Sequence, residues 1–293
     1  MINEDLLQYL CCPECKSNFR EQDGFLICEK CGEKYEIRDG IPILVNLNSL
    51  PQHLQEQIKY FEEEDNCRPQ YRLQEWQKSY IRRLDENFQL RNKEILIDVG
   101  TGFGYIAVET AKRGLKVIAL DLTLKELIKL KDVIKKEHLE DNLFLVCCSA
   151  ESLPFKNGIA DYLVSNAVLE HLPREKEAIS EISRVCKNKN RIMVTVPLKL
   201  KYILPFFIPL NYFYDKKIGH LRRYDEKILL NKFSKFRYRI KRVYYSGHFL
   251  KVFKLLFNNF IWKIFDLKEI EDQDRKLENK KCGASNICII FER

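Results

Sequence analysis

The chain has 293 residues, of which 45% are hydrophobic and 31% charged, an ordinary balance for a globular protein with a full core. The acidic start MINEDLLQYL argues against a secretory signal, and no apolar run reaches the roughly 20 residues that cross a bilayer, so we expect a cytoplasmic protein. The net charge of +8 is unevenly distributed. Residues 1–198 carry 28 Lys+Arg and 32 Asp+Glu, whereas residues 199–293 carry 22 Lys+Arg and 10 Asp+Glu. This excess predicts either an anionic partner or a solvated basic face for the last third of the chain.

Four cysteines near the N-terminus have the spacing of a metal site. Cys12 and Cys15 form one CxxC pair, and Cys28 and Cys31 form a second pair twelve residues later. Two such pairs can surround a tetrahedral zinc ion, and because protein would fill every position the site is expected to be structural. Short strand patterns around the pairs predict a zinc ribbon over residues 1–45, whose folding free energy the metal would supply.

The remaining chain reads as a helical linker followed by an α/β domain. Residues 46–93 are polar with a helical pattern, and residues 94–293 alternate strand and helix patterns. The predicted strands are 94–99, 116–121, 142–148, 160–165, 191–197 and 284–293. The predicted helices between the first five strands are 105–113, 124–137 and 176–186. This alternation predicts a parallel sheet with helices on both faces.

A glycine-rich turn, DVGTGFGY, joins the first of these strands to the first helix. Its glycines, Gly100, Gly102 and Gly104, have the spacing GxGxG, whereas the dinucleotide fingerprint GxGxxG would need its third glycine where Tyr105 stands. Asp98 before the loop would repel a pyrophosphate but suits a ligand with an ammonium group. These residues therefore favour S-adenosylmethionine over a dinucleotide.

From about residue 60 onward the chain resembles class I S-adenosylmethionine-dependent methyltransferases. The resemblance rests on SAESLPF at 149–155, which is similar to the family's D-A-E-x-L-P-F loop, and on the stretch from Asp161 to His171 that ends in L-E-H. It implies a Rossmann-like seven-stranded sheet, mostly parallel with the last strand antiparallel. IRDGIPIL at 37–44 resembles the end of the zinc-ribbon modules that accompany such enzymes.

The resemblance also implies which residues meet the cofactor. The glycines would pass under its methionine and ribose, Asp98 would point toward the ammonium, and Asp121 would bind the ribose hydroxyls. Leu122 and Ala150 would pack on the adenine, and Ser149 stands where the family has an acid for the adenine amino group. The expected cofactor residues are Asp98, Gly100, Gly102, Gly104, Asp121, Leu122, Ser149, Ala150, Glu151 and Asn166.

Methyl transfer requires alignment more than a catalytic constellation, because the sulfonium is already a good leaving group. His171, after the fourth strand, is a candidate base, and a structural histidine is the alternative. Some related enzymes bind a metal through E-x-x-E-H at this place. Ala167 replaces the first acid here, so we predict no catalytic metal.

A second candidate segment, GHLRRYD at 219–225, resembles a substrate-facing part of many family members. His220 and Tyr224 would orient an acceptor hydroxyl, and Arg222 and Arg223 would bind a carboxylate or phosphate of the acceptor. The alternative to substrate contact is that this segment is simply the basic start of a helix.

Three functions follow from these patterns. The first is a methyltransferase for a small-molecule or lipid-linked acceptor, with an insertion at about 198–230 and an amphipathic helix at about 248–266 as its lid. The second is an RNA methyltransferase that binds the phosphates of RNA through the zinc ribbon and the basic last third of the chain. The third is a non-catalytic binding module. The basic helix at 249–265 could also contact an anionic membrane, form a dimer face or cover the sheet, and the oligomeric state stays open. The apolar insertion favours the first function.

Overall fold

The structure, a computed structural model, describes residues 2–63, 71–260 and 266–293, without the side chains of 255–260. Part of the amphipathic helix expected at about 248–266 therefore lies outside the described residues.

The N-terminal module is a four-stranded antiparallel sheet in the order β1-β2-β3-β4, preceded by the short helix α1 (Glu4–Leu7). Asp-Gly pairs at 23–24 and 39–40 form the turns of two of its hairpins. Both residues of each pair have positive φ, as type I′ turns require. Its strands are β1 (Phe19–Gln22), β2 (Phe25–Cys28), β3 (Lys34–Arg38) and β4 (Ile41–Pro42).

This module is continuous with the rest of the protein through backbone pairing. Ile43 forms a parallel bridge with Cys147, and Leu10 forms an antiparallel bridge with Phe155. Leu44 N also donates to Cys147 O at 2.8 Å. The module therefore packs against the end of one strand of the main sheet and against the loop that follows this strand.

The main sheet has seven strands in the order β10-β11-β9-β8-β5-β6-β7. The pairs among β5 to β9 are parallel, and β11 is antiparallel to both β9 and β10. This arrangement confirms the predicted fold class. The strands are β5 (Ile95–Val99), β6 (Lys116–Asp121), β7 (Leu143–Cys147), β8 (Ala160–Asn166), β9 (Cys186–Pro197), β10 (Arg239–Ser246) and β11 (Asn286–Glu292).

Two hydrophobic cores cover the two faces of this sheet, because side chains alternate between the faces of each strand. In β5, for example, Leu96 belongs to one core, whereas Ile97 belongs to the other. Helices α3 (Glu75–Asn87), α4 (Tyr105–Ala111) and α5 (Leu124–Lys136) cover the first face. Helices α6 (Glu175–Val185) and α8 (Glu226–Phe233) cover the second. The other helices are α2 (Gln52–Glu63), α7 (Ile208–Ile218), α9 (Phe249–Phe260) and α10 (Leu267–Lys276).

The polar side of α9 faces α10. Lys251 Nζ pairs with Glu271 Oε1 at 2.7 Å, and Lys254 Nζ donates to Gln273 Oε1 at 2.6 Å. These lysines therefore hold two helices together. No helix among the described residues is long and apolar enough to span a membrane. The cytoplasmic location expected from the sequence stays a prediction.

Candidate functional site

The glycine-rich loop between β5 and α4 is held by backbone bonds and by one carboxylate at the end of β6. Thr101 N donates to Leu120 O at 2.9 Å. Asp121 accepts from Gly102 N through Oδ2 and from Thr123 N through Oδ1, both at 2.9 Å. Asp121 therefore fixes the loop against the neighbouring strand end.

The three glycines of the loop have positive φ angles but different surroundings. A Cβ on Gly100 would lie 2.4 Å from Val168 Cγ2, and a Cβ on Gly104 would lie 2.3 Å from Leu130 Cδ1. A Cβ on Gly102 would meet no described atom within 4 Å. A side chain at Gly100 or Gly104 would thus displace a packed neighbour, whereas Gly102 faces open space.

That open space is a cavity of about 240 Å³ at the carboxyl edge of the sheet, here called the glycine-loop cavity. Helix α2 covers it with Leu54, Ile58 and Phe61. Among the described residues that line it, the acidic side chains are Asp121 and Glu126, and none is Lys or Arg. The predicted cofactor residues that line it are Gly100, Gly102, Asp121, Leu122, Ser149 and Ala150.

Asp98 lies beneath the loop instead of in the cavity wall. It is 2% exposed, and its Oδ2 accepts a hydrogen bond from Thr101 Oγ1 at 2.7 Å. Burial raises the pKa of Asp98 to about 7, and the nearby Asp121 adds to the increase. The carboxyl group is therefore close to half ionised at neutral pH.

Three further cofactor candidates lie elsewhere. Gly104 begins α4 and packs on Leu130. Glu151 lies in an ion pair: its Oε1 accepts from Arg174 N at 2.6 Å and its Oε2 from Arg174 Nε at 2.9 Å. Asn166 Nδ2 donates to Tyr105 Oη at 3.0 Å and lines a second cavity. Their predicted contacts with the cofactor stay predictions.

His171 lines the glycine-loop cavity beside a group of titratable side chains. Burial lowers the pKa of His171 to about 3, and His220 and His53 lower it further. His171 is therefore neutral at pH 7 and a weak proton acceptor. Burial raises the pKa of Glu170 to about 8, so this carboxyl group is largely protonated. Potential metal-ligand atoms of Glu170, His171 and His220 lie within 4.8 Å of one another.

The GHLRRYD segment fastens α7 to the loop after β8. Arg222 Nη1 donates to Leu169 O at 3.2 Å, and Tyr224 Oη donates to Glu175 Oε2 at 2.6 Å. Two further residues share Asp215: Arg223 Nη2 donates to its Oδ1 at 2.8 Å, and His220 Nδ1 lies 2.7 Å from the same oxygen. The partners Leu169 and Glu175 lie about 50 residues away and Asp215 lies within eight residues, and the sequence indicated none of these pairs. The substrate and catalytic roles of His220, Arg222, Arg223 and Tyr224 stay predictions.

A larger cavity of about 1,100 Å³, here called the α3 cavity, lies beside the first. Trp76, Tyr80 and Arg83 of α3 form one side of it, and the ends of β8, β9 and β10 and the start of β11 form another. Ala167 lines both cavities, so the two are adjacent. Sequence reasoning missed this wall, because residues 46–93 show only the pattern of a polar helix.

The four cysteines of the CxxC pairs come together as predicted. The Sγ atoms of Cys12 and Cys31 lie 3.7 Å apart, and those of Cys15 and Cys28 lie 3.4 Å apart. All four sulfurs lie within 4.8 Å of one another. Zn–S bonds of about 2.3 Å in a tetrahedron would place sulfurs about 3.8 Å apart, so the cluster fits a zinc ion.

Two family models match the chain. The model described as "Methyltransferase domain" matches residues 97–194, which contain the glycine loop and the strands around the glycine-loop cavity. The model described as "Trm112p-like protein" matches residues 3–40, which contain the cysteine cluster.

Sequence relatives match each part separately. The biotin biosynthesis bifunctional protein BioHC of Cellvibrio japonicus is 32% identical over 100 residues, or 34% of this chain. The match spans 19% of BioHC, about a fifth of its length. A UPF0434 protein of Vesicomyosocius okutanii is 49% identical over 45 residues, which are 15% of this chain and 76% of that protein.

Among solved structures, geranyl diphosphate C-methyltransferase from Streptomyces coelicolor has the same fold, with a TM-score of 0.61 at 13% identity. The similarity covers 83% of this chain and 99% of that one. Together with the sheet order and the glycine loop, this similarity shows that the protein has the class I methyltransferase fold, and the two family matches identify a methyltransferase domain over residues 97–194 and a Trm112p-like module over residues 3–40.

Proposed function

We propose that the protein transfers a methyl group from S-adenosylmethionine, bound in the glycine-loop cavity, to a small-molecule acceptor bound in the α3 cavity. The observation that carries this proposal is the lining of the glycine-loop cavity: among its described residues there are two acids and no Lys or Arg. A cationic ligand without phosphates fits such a wall, whereas the pyrophosphate of a dinucleotide would be repelled by these carboxylates, with no cationic side chain among the described lining residues to offset them. The cofactor would supply the activated methyl group.

The chain's own residues would bind and orient the two reactants. Asp121, fixed by Gly102 N and Thr123 N, would accept hydrogen bonds from ribose hydroxyls, and Leu122 and Ala150 would pack on the adenine. Helix α2 would exclude water from one side. The adjacent α3 cavity would hold the acceptor within reach of the methyl group, and such positioning accounts for much of the rate in transfer reactions.

The surroundings of the basic residues support a small molecule over RNA. In β10, Arg239 and Lys241 pair with Glu292, and Arg242 lies over the ring of Tyr244. These cations have partners within the protein, which makes a phosphate-binding groove there less favourable. BioHC is named for biotin biosynthesis and the Streptomyces enzyme for geranyl diphosphate, which also supports a small acceptor.

For the cysteine cluster we propose a structural zinc ion held by Cys12, Cys15, Cys28 and Cys31. The first CxxC turn contacts the loop at 149–155, which lines the glycine-loop cavity through Ser149 and Ala150. Ser152 Oγ donates to Pro13 O at 2.8 Å, and Lys16 Nζ donates to Leu153 O at 3.2 Å. The metal would therefore hold a loop of the cofactor site in place as well as fold its own module.

The acceptor class can be tested with tritium-labelled S-adenosylmethionine and a fractionated cell extract. We expect label to pass to the small-molecule fraction, with RNA unlabelled, and Asp121→Ala to abolish the transfer because ribose contacts are lost. Scintillation counting of the separated fractions measures this. Labelled RNA would overturn the acceptor class, and a wild-type protein that fails to bind S-adenosylmethionine in calorimetry would overturn the enzymatic proposal.

Substitutions of two glycines should separate binding from stability. Gly104→Ala places a methyl group against Leu130 and should lower the free energy of unfolding by about 1–3 kcal/mol. Gly102→Ala has only its positive φ to strain it, but its methyl group enters the cavity. We expect Gly102→Ala to lose more cofactor affinity and less stability than Gly104→Ala, as measured by calorimetry and urea unfolding. Unchanged cofactor affinity of Gly102→Ala would contradict this placement.

Cofactor binding should release a proton from Asp98 below neutral pH. The free protein holds this proton because the pKa of Asp98 is raised to about 7, and a bound cation favours the carboxylate. Calorimetry at about pH 6 in buffers of different ionisation enthalpy should detect the release, which should fade above about pH 8. The raised pKa makes ionisation of Asp98 unfavourable in the folded state. The contribution of Asp98 to the free energy of unfolding should therefore fall as the pH rises from about 4 to about 7 and stay constant at higher pH. Asp98→Asn is the control and should show neither effect; equal release from this variant would refute the assignment.

Loss of zinc should weaken both the module and the cofactor site. Cys31→Ser removes one ligand at an exposed position, whereas Cys282→Ser removes an equally exposed cysteine outside the cluster. We expect one zinc per chain in the wild type and in Cys282→Ser, and in Cys31→Ser little zinc, a lower Tm and weaker binding of S-adenosylmethionine. Elemental analysis, thermal unfolding and calorimetry provide these values. If Cys31→Ser loses its zinc but binds the cofactor normally, the module does not support the site.

A further inference from the structure

Arg83 is a buried arginine that faces the α3 cavity. It lies on α3, is 3% exposed, and its guanidinium lies 5.3 Å from the ring centroid of Tyr80 and 5.2 Å from that of Tyr244. Its Nε and Nη1 atoms have no hydrogen-bond partner in the described parts of the chain. The two aromatic rings compensate the charge only in part, because a cation–π contact is weaker than an ion pair with a desolvated carboxylate.

Other cations around this cavity have partners or water. Lys78 pairs with Glu75 at 2.6 Å, and Lys251 pairs with Glu271 at 2.7 Å. Arg72 and Lys268 are exposed. The neighbouring Arg82 pairs with Glu86 at 2.6 Å and with Glu278. Arg83 thus differs from these residues in having neither a carboxylate partner among the described residues nor solvent.

Neither Cys288 nor Glu170 neutralises Arg83. Cys288 interacts with the guanidinium through a side-chain hydrogen bond, and burial raises the pKa of this thiol by more than Arg83 lowers it, so the thiol stays uncharged. Glu170, which also lines the cavity, is largely protonated because burial raises its pKa to about 8. A buried cation without a partner is costly in a folded protein. It persists where a ligand supplies the missing charge.

We infer that Arg83 binds an anionic oxygen group, a carboxylate or a phosphate, of the molecule that occupies the α3 cavity. That this molecule is the methyl acceptor rests on the proposed function. Asn166 in the cavity wall supports this orientation: its Oδ1 is buried without a partner in the described chain, and its neighbour Ala167 also lines the glycine-loop cavity. An N–H or O–H of the acceptor would donate to Asn166 near the methyl group while its anionic end meets Arg83.

The test compares two neighbouring arginines of one helix in the full chain without S-adenosylmethionine. Sodium benzoate and inorganic phosphate serve as probes, with chloride at equal ionic strength as the reference. We expect at least one probe to raise the Tm of the wild type, and the stronger probe identifies the carboxylate or the phosphate. Arg83→Met should remove this response, weaken the calorimetric affinity for the probe at least about tenfold, and raise the Tm in chloride, because an unpaired buried charge is gone.

Arg82→Met is the matched control. It should lower the Tm, because Glu86 and Glu278 lose their partner, and it should keep the response to the probe. Arg83→Lys preserves the charge and should keep part of the response even where the methionine variant folds poorly. An Arg83→Met protein that responds like the wild type, or a wild type that responds to neither probe, overturns the anion site. A wild-type protein that responds to the probe but does not bind S-adenosylmethionine in calorimetry would overturn the proposed function and leave the anion site standing.

Discussion

Burial of a charged side chain at the carboxyl edge of the central sheet is costly unless a partner is near, and three of the carboxylates there have one. Asp121 is matched by two backbone N–H groups, Glu151 by Arg174, and Asp215 by both His220 and Arg223. Two of these partners join separate segments: Gly102 N holds the glycine loop against the end of β6, and Arg174 holds the loop after β7 against the start of α6. Rigid loops in turn keep the two cavities open side by side.

The N-terminal module takes part in the same arrangement. It covers the loop between β7 and β8 with backbone and side-chain bonds, among them the bond from Cys11 N to Pro154 O at 2.9 Å. A module of about 45 residues buries little apolar surface of its own and depends on cross-links or packing for stability. Docking on the larger domain supplies packing, and the cysteine cluster can supply a cross-link. The module and the cofactor loop are therefore expected to gain order together.

Local signals explain how much could be predicted from the sequence. The apolar runs, the glycine spacing and the CxxC spacing act over a few residues, so the parallel strands, β11, the glycine loop and the cysteine cluster were foreseen, whereas β10 was not among the predicted strands. The predicted residues Gly102 and Asp121 line the glycine-loop cavity. The seven-stranded fold class was foreseen from the family resemblance. Pairing over long separations was not visible. Glu151 matched a family motif, yet its carboxylate is bound to Arg174, which lies 23 residues away. Arg83 looked like an ordinary polar position of a helix, because only the tertiary structure shows that it is buried and has no carboxylate partner among the described residues.

The two cavities share a wall but differ in the buried charge that each offers a ligand. The glycine-loop cavity is lined by Asp121 and Glu126 without a basic side chain among its described residues, whereas the α3 cavity contains the unpaired Arg83. A cation in the glycine-loop cavity and an anion in the α3 cavity would each offset unpaired charge of the protein. The two ligands would also attract each other across Ala167. In a site with little water this attraction is stronger than in solution. The same contrast disfavours an exchange of the two ligands, because an anion in the glycine-loop cavity would lie beside Asp121 and Glu126, and a cation in the α3 cavity would leave Arg83 without a counter-charge. Charge therefore contributes to the selection between cofactor and acceptor, together with shape-specific contacts.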